Sequence, residues 1–270
     1  SKLPQSIILL SPSQYRACWL FMTLMLNKQN VLCTGPAGSG KSALLNTLLK
    51  NVPKVEPKWS AVKLTQAANC SSGAIIRNIL GCLQRQRHNV FVPPGAITVG
   101  GGFCEERQFV LFIDDLNHDS EETECLRQLA ETNSVYLSRH QVMLKSMHIV
   151  AGHQVSRNSK PDLCRLALRF DHAIQFPVTS PEVVRGIFNS IQHAHVEKNE
   201  DSVNLFASIQ TLIESSLYVQ MRLKKHDKCD RYKPNDVLDI LRGILWIKPD
   251  VLRTNLRCIH SWIHESLRRW

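Results

Sequence analysis

Hydrophobic positions along this chain follow a mixed rhythm as far as about residue 180 and a helical one after it. Residues 13–27 carry apolar side chains at helical spacing. Their centre, "ACWLFMTLML" from Ala17 to Leu26, is about half the length a membrane-spanning helix needs, so it predicts a buried helix. The short apolar run "NVLCTG" predicts a strand that enters a glycine-rich loop. In "KSALLNTLLK", residues 41–50, Leu44, Leu45, Leu48 and Leu49 share one stripe, so the loop opens a helix. "WSAVKLT" predicts a second strand. Over 72–88, "SGAIIRNILGCLQRQRH", Ile75, Ile76, Ile79, Leu80 and Leu83 recur at i, i+1, i+4, i+5 and i+8, which predicts a helix through the whole segment. Residues 92–108, rich in Gly and Pro, predict an exposed loop or hairpin.

Five consecutive apolar residues, "FVLFI", suit a strand covered on both faces of a parallel sheet. "ETECLRQLAET" predicts a helix, "MHIVAG" a fourth strand and "HAIQFPV" a fifth. Strands alternating with helices predict an α/β domain over residues 1–180, a parallel sheet flanked by helices with the glycine-rich loop at the carboxyl end of its first strand. "SPEVVRGIFNSIQHAHVEK" then opens a run of helices, with Ser180 as cap and Pro181 in the first turn. The remainder, 181–270, is expected to be an all-helical lid.

With 270 residues, 43% of them apolar, the chain can bury a proper core. It begins Ser1-Lys2 without an initiator Met or a leader-like segment, and is expected to be part of a longer polypeptide. Nine cysteines show no CxxC pair or regular spacing, which predicts reduced thiols and an intracellular setting. The net charge of +10 is spread, densest in "MRLKKHDKCDRYK" at 221–233, without interleaved aromatics. That distribution reads as solvated surface, and neither nucleic acid nor membrane is expected as a partner. The pairs His193/His195 and His260/His264 read as ordinary helical histidines.

Two motifs carry the chemistry. Gly35-Pro36-Ala37-Gly38-Ser39-Gly40-Lys41-Ser42 fits GxxxxGK followed by Ser or Thr, between a strand and a helix. Its glycines let backbone N–H groups turn toward phosphate oxygens, and the helix N-terminus adds partial positive charge. Lys41 is expected to reach the β- and γ-phosphates of ATP or ADP, and the Ser42 hydroxyl to ligate Mg2+. Asp114, closing the apolar run, is expected to order the metal's water shell. Asp115 follows it as the candidate catalytic carboxylate, where many hydrolysing enzymes of this class carry Glu. Being one methylene shorter, it falls roughly an ångström short of the attacking water, an error that costs about 100-fold.

These residues also carry a family resemblance. The chain resembles an AAA+ P-loop NTPase module, specifically the third AAA+ module of an axonemal-type dynein heavy chain. "ILLSPSQYRACWLFMTLML", with Arg16 in the matching place, resembles the segment leading into that family's phosphate loop. "FIDDLNHDSEETECLRQL" resembles its FIDDLNMP followed by LLRQ. "PDLCRLALRF" resembles the region bearing an Arg for a neighbouring module, which makes Arg165 and Arg169 the inter-module candidates, with a surface salt bridge as the plainer alternative. "CIHSWIHESLRRW" resembles the closing LWxHExxRVF pattern. The departures are His118-Asp119 for the family's Met-Pro, Gln154-Val155-Ser156-Arg157-Asn158 for GGGRN, and Asn235 for a lid Arg that approaches the nucleotide.

The resemblance implies an ATP-binding module in a ring with neighbouring AAA+ modules of the same chain. It further implies a microtubule-associated assembly in the cytoplasm and cytoskeleton, within a cilium or flagellum. With Asp115 and Asn235 altered, the module is expected to be regulatory or structural, hydrolysing ATP weakly or not at all. The alternatives are an active ATP-hydrolysing motor module and a nucleic-acid-linked AAA+ ATPase.

Overall fold

The computed structural model describes residues 10–64, 71–95, 107–114, 116, 124–137, 140–155, 166–177, 180–196, 203–226, 234–247 and 254–270. The chain divides into two compact units, one built on Ser13–Val155 and Ser159–Pro177, the other on Val178–Trp270.

In the first unit, helix α1 (Pro12–Leu26) turns Cys18, Phe21 and Met25 inward, and the last two are fully buried. Strand β1 (Val31–Gly35) runs into the glycine-rich loop, and α2 (Lys41–Val55) leaves it, burying Leu44, Leu45, Leu49 and Val52 along one stripe. There follow β2 (Trp59–Leu64), α3 (Ser72–Gly81), β3 (Gln84–Arg87), β4 (Val90–Val92), β5 (Gln108–Ile113) and α4 (Glu124–Thr132). The unit is completed by β6 (Ser134–Leu137), β7 (His140–Leu144), β8 (Met147–Gln154), a 3-10 turn at Ala167–Arg169 and β9 (His172–Gln175).

The expected parallel sheet is present, with five strands in the order β2-β5-β8-β1-β9 and every pairing parallel. All six residues of β5 are buried, as an uninterrupted apolar run requires of a strand covered on both faces. Strand β1 lies inside the sheet, with Leu32 opposite Ala151 on one side and Ala173 on the other. Its carboxyl end therefore opens near the reversal of strand order, where open α/β sheets place their ligands.

The helix predicted through 72–88 stops at Gly81. Ser71 caps its start by accepting from the Ala74 N–H at 3.3 Å, and the Cys82 and Leu83 N–H groups turn back to the Ile79 and Leu80 carbonyls. Leu83 still packs against the core, now from a turn, so the apolar spacing outlasts the helix. The polar run Gln84–Arg87 instead pairs antiparallel with β4, and the Arg85 guanidinium donates to the His88 carbonyl at 2.7 Å. Tertiary pairing thus outweighs the good helix propensity of Gln and Arg.

This hairpin belongs to a second sheet that the hydrophobic pattern did not suggest, in the order β3-β4-β7-β6. Strands β6 and β7 form an antiparallel hairpin, and β7 joins β4 in parallel. Val135, Val142 and Leu144 face the core while Tyr136 and Met143 face outward.

The second unit is helical in its described residues, with α5 (Pro181–Val196), α6 (Val203–His226), α7 (Pro234–Trp246) and α8 (Asn255–Arg269). Val184, Phe188, Ile209, Ile213, Val237 and Leu241 form its core, and Ile240, Ile244 and Cys258 a neighbouring cluster with Trp262 and Trp270. The Trp262 indole N–H donates to the buried Ser216 hydroxyl at 2.7 Å. Trp246, by contrast, is 80% exposed. Among the described residues no helix is long and apolar enough to cross a membrane.

Leu126 of α4 is fully buried in the main core, so Leu126→Ala is expected to cost about 2–5 kcal/mol, read as a lower urea midpoint for the α/β unit. His148 of β8 lies 2.8 Å from the Gln108 side-chain oxygen and 5.7 Å from the Trp59 ring, and burial, reinforced by the charge of Lys28, pushes its pKa down. The unfolded chain therefore takes up this proton first. The stability contributed by neutral His148 is expected to be complete at neutral pH and lost as pH falls below about 6.5, a slope that His148→Gln removes from urea titrations across pH.

Candidate nucleotide-binding site

The phosphate-loop geometry begins with the way β1 ends. The Gly35 carbonyl accepts from the Val155 N–H at 3.1 Å, and the Thr34 carbonyl from the Phe176 N–H at 2.7 Å, so the strand is held on both sides up to its last residue. A Cβ on Gly35 would lie 2.8 Å from the Phe176 carbonyl oxygen and 3.4 Å from Cδ of Lys41, which is why this position takes glycine. Gly38 and Gly40 have φ of 75° and 81°, in the left-handed region open to glycine at little cost. At the N-cap of α2, Gly40 brings no side chain to compete for the first-turn N–H groups, the groups that favour anions.

Lys41 is 7% exposed, and its ammonium donates to the carbonyls of Gly35 at 2.8 Å and Pro36 at 3.0 Å, with the Ser39 hydroxyl at 3.4 Å. A buried ammonium needs such acceptors. From α1, the buried Gln14 amide donates to the Ser39 carbonyl at 3.0 Å, tying that helix to the loop. Below the loop, burial pushes the Cys33 thiol far up, Cys18 adds to the shift, and Lys41 opposes it. Cys33 is therefore an inert core thiol.

The two sequence motifs meet at a carboxylate. The Ser42 hydroxyl donates to Asp114 Oδ1 at 2.7 Å, across 72 residues of sequence, because β5 delivers Asp114 to the same sheet edge as the loop. The other oxygen of Asp114, Oδ2, is held at 2.6 Å by the Lys63 ammonium, which also lies 5.7 Å from the Phe112 ring centroid. Lys63 stands on β2 directly opposite Phe112 of β5. The loop and Lys41 fit the phosphates of a nucleotide. Ser42 and Asp114 offer the hard oxygens a magnesium ion takes, yet one of those oxygens already carries an ammonium, so the metal corner does not fit a hydrated divalent ion while Lys63 remains in place.

Of the other site residues, Asp115 and Arg165 lie outside the described residues. Arg169 closes the 3-10 turn, with its Nε 3.7 Å from Glu131, an acid also held by Arg127 at 2.9 Å. This is a surface salt bridge. The sequence reasoning missed Gln14 and Lys63. Gln14 gave no signal, being one of several polar residues in the first turns of α1. Lys63 gave one: a lone cation within "WSAVKL", a predicted strand that the structure pairs with "QFVLFI".

A family model described as a P-loop containing dynein motor region matches residues 2–170. The chain is 22% identical over 265 residues to dynein axonemal heavy chain 2 of Homo sapiens, with 93% of this chain and 6% of that protein covered. It is 25% identical over 295 residues to dynein axonemal heavy chain 1 of Rattus norvegicus, covering 97% of this chain and 6% of the relative. With dynein axonemal heavy chain 12 of Mus musculus it shares 23% identity over 279 residues, covering 98% of this chain and 9% of the relative. The chain thus spans a small part of each relative. Among solved structures, a mutant of RuvB from Thermotoga maritima superposes with a TM-score of 0.51 at 13% identity, covering 93% of this chain and 70% of that one, a likeness of fold alone. The family model spans well over half of the residues, and the chain belongs to the family of P-loop containing dynein motor regions.

Proposed function

We propose that this chain is a nucleotide-binding AAA+ module of a dynein-like heavy chain, in which bound ATP or ADP is a regulatory or structural ligand that is hydrolysed weakly or not at all. The observation that carries the reading is the 2.7 Å hydrogen bond from Ser42 to Asp114, which brings the phosphate loop and the acidic strand end into one site. In this reading Gly35 to Ser42 cradle the phosphates, and Lys41 exchanges its backbone acceptors for phosphate oxygens. Asp115 is the carboxylate that would position the attacking water, and its short side chain is the reason turnover is slow. Residues 1–180 form the large domain and 181–270 the lid.

Neighbouring AAA+ modules of the same polypeptide are the proposed partners. The described surface supports this with an apolar stripe on α8, where Leu256, Ile259, Ile263 and Leu267 recur at helical spacing and are all exposed. Arg165 and Arg169 are the candidates for completing another module's site. The whole protein would act in a microtubule-associated assembly of the cytoplasm and cytoskeleton, in a cilium or flagellum, as the names of its relatives suggest.

The test compares the unaltered protein with Lys41→Ala by titration of fluorescent ATP and ADP analogues and by steady-state phosphate release. Lys41→Ala is expected to weaken nucleotide binding about tenfold or more, the worth of one charge-assisted hydrogen bond, while phosphate release stays at the variant's level in both. Binding that ignores Lys41 would overturn the nucleotide reading, and release that depends on Lys41 would replace it with the active motor module. Gly35→Ala, whose methyl meets the Phe176 carbonyl at 2.8 Å, is expected to weaken the same titration while the helical unit keeps its circular dichroism.

A further inference from the structure

The metal corner of the site holds a cation supplied by the chain itself. Lys63 stands on the sheet-edge strand β2, in register with Phe112, and its ammonium reaches two residues further along β5's direction to Asp114 Oδ2 at 2.6 Å. The Phe112 ring, 5.7 Å away, is within range to favour the ammonium electrostatically. Asp114 is 13% exposed and Lys63 39%, so the acid is shielded while the lysine stem keeps partial contact with water. The carboxylate thereby bridges a phosphate-loop hydroxyl on one oxygen and an ammonium on the other.

We propose that the Lys63 ammonium stands in for the divalent ion in this module, so that nucleotide binds at the phosphate loop without magnesium. The inference rests on the nucleotide-binding reading above. The single negative charge of Asp114 is already matched by Lys63. A magnesium ion arriving at Ser42 would meet a neutralised acid with a like charge beside it. It also sheds its water reluctantly and asks for near-octahedral oxygen geometry, and the Asp114 oxygen left to hold that water shell, Oδ2, already carries the Lys63 ammonium. An ammonium carries three donors, and among the described residues Asp114 Oδ2 accepts from one of them, which leaves Lys63 equipped to answer phosphate charge.

The experiment titrates the full chain with fluorescent ADP and ATP analogues in magnesium and in EDTA, for the unaltered protein, Lys63→Met and Lys41→Ala. The unaltered protein is expected to change affinity less than about threefold between the two buffers. Lys63→Met is expected to lose about tenfold or more in EDTA and to recover on adding magnesium, the difference one charge-assisted contact makes. A second measurement needs no variant: electron paramagnetic resonance of Mn2+ added with ADP is expected to show no protein-bound manganese on the unaltered chain. Binding that requires Lys41 but collapses in EDTA, or Mn2+ held tightly by the unaltered protein, overturns the role of Lys63 and leaves the nucleotide reading standing. Absence of Lys41-dependent binding in either buffer overturns both.

Discussion

The constraint on which the site depends is the parallel pairing of β1 with a neighbour on each side. Val31 to Gly35 are registered against Val150 to Gln154, and Val31 to Thr34 against His172 to Gln175. A strand bonded along both edges has no freedom to slide, because a shift of one residue would turn its side chains to the wrong face on both sides of the sheet. The loop that leaves it inherits that fixed start. Gly35 is wedged against the Phe176 backbone, the left-handed glycines 38 and 40 reverse the chain, and α2 begins where its N-terminus faces the loop. The same sheet puts β5 beside β2, which brings Asp114 within reach of both Ser42 and Lys63.

Within that frame the loop satisfies its own charge. Lys41 is bonded to two carbonyls and approached by a hydroxyl, so a phosphate does not find a bare ammonium there; it has to replace neutral acceptors with charged ones. The exchange is favourable because hydrogen bonds between ionised partners are stronger than those to neutral oxygens, but the gain is the difference and not the whole bond. Affinity at such a site is therefore set as much by the backbone N–H groups and the helix terminus as by the lysine.

Much of this was legible in the sequence where one physical cause acted alone. The uninterrupted "FVLFI" suited a strand covered on both faces, and the phosphate loop declared itself because its glycines answer a backbone requirement that few other residues meet. The boundary at Gly81 was not legible. Leu83 continues the helical stripe, and only pairing with β4, set by contacts distant in sequence, pulls Gln84–Arg87 into a strand. The second sheet was missed for a related reason: "SVYLSRHQVML" alternates, but its strands are short and their partners lie far off in the chain. In the site, the residues found were those of a linear motif. Gln14 and Lys63 act through space from other elements, while Asp115 and Arg165 fall outside the described residues.

The two lysines of the site show how burial assigns different work to one residue type. Lys41 gives up nearly all its water and is compensated by backbone oxygens packed around it, an arrangement that holds whether or not an acid is near. Lys63 comes from an edge strand, keeps partial exposure, and so reaches a carboxylate without the full desolvation cost of a buried ion pair. Edge strands commonly carry lysine to deter pairing with other chains, and there the ammonium points into water. Here it is turned to the end of the adjacent strand instead. A residue type that ordinarily protects a sheet edge thereby becomes a fixed positive charge at the corner where the phosphate loop and the acidic strand meet.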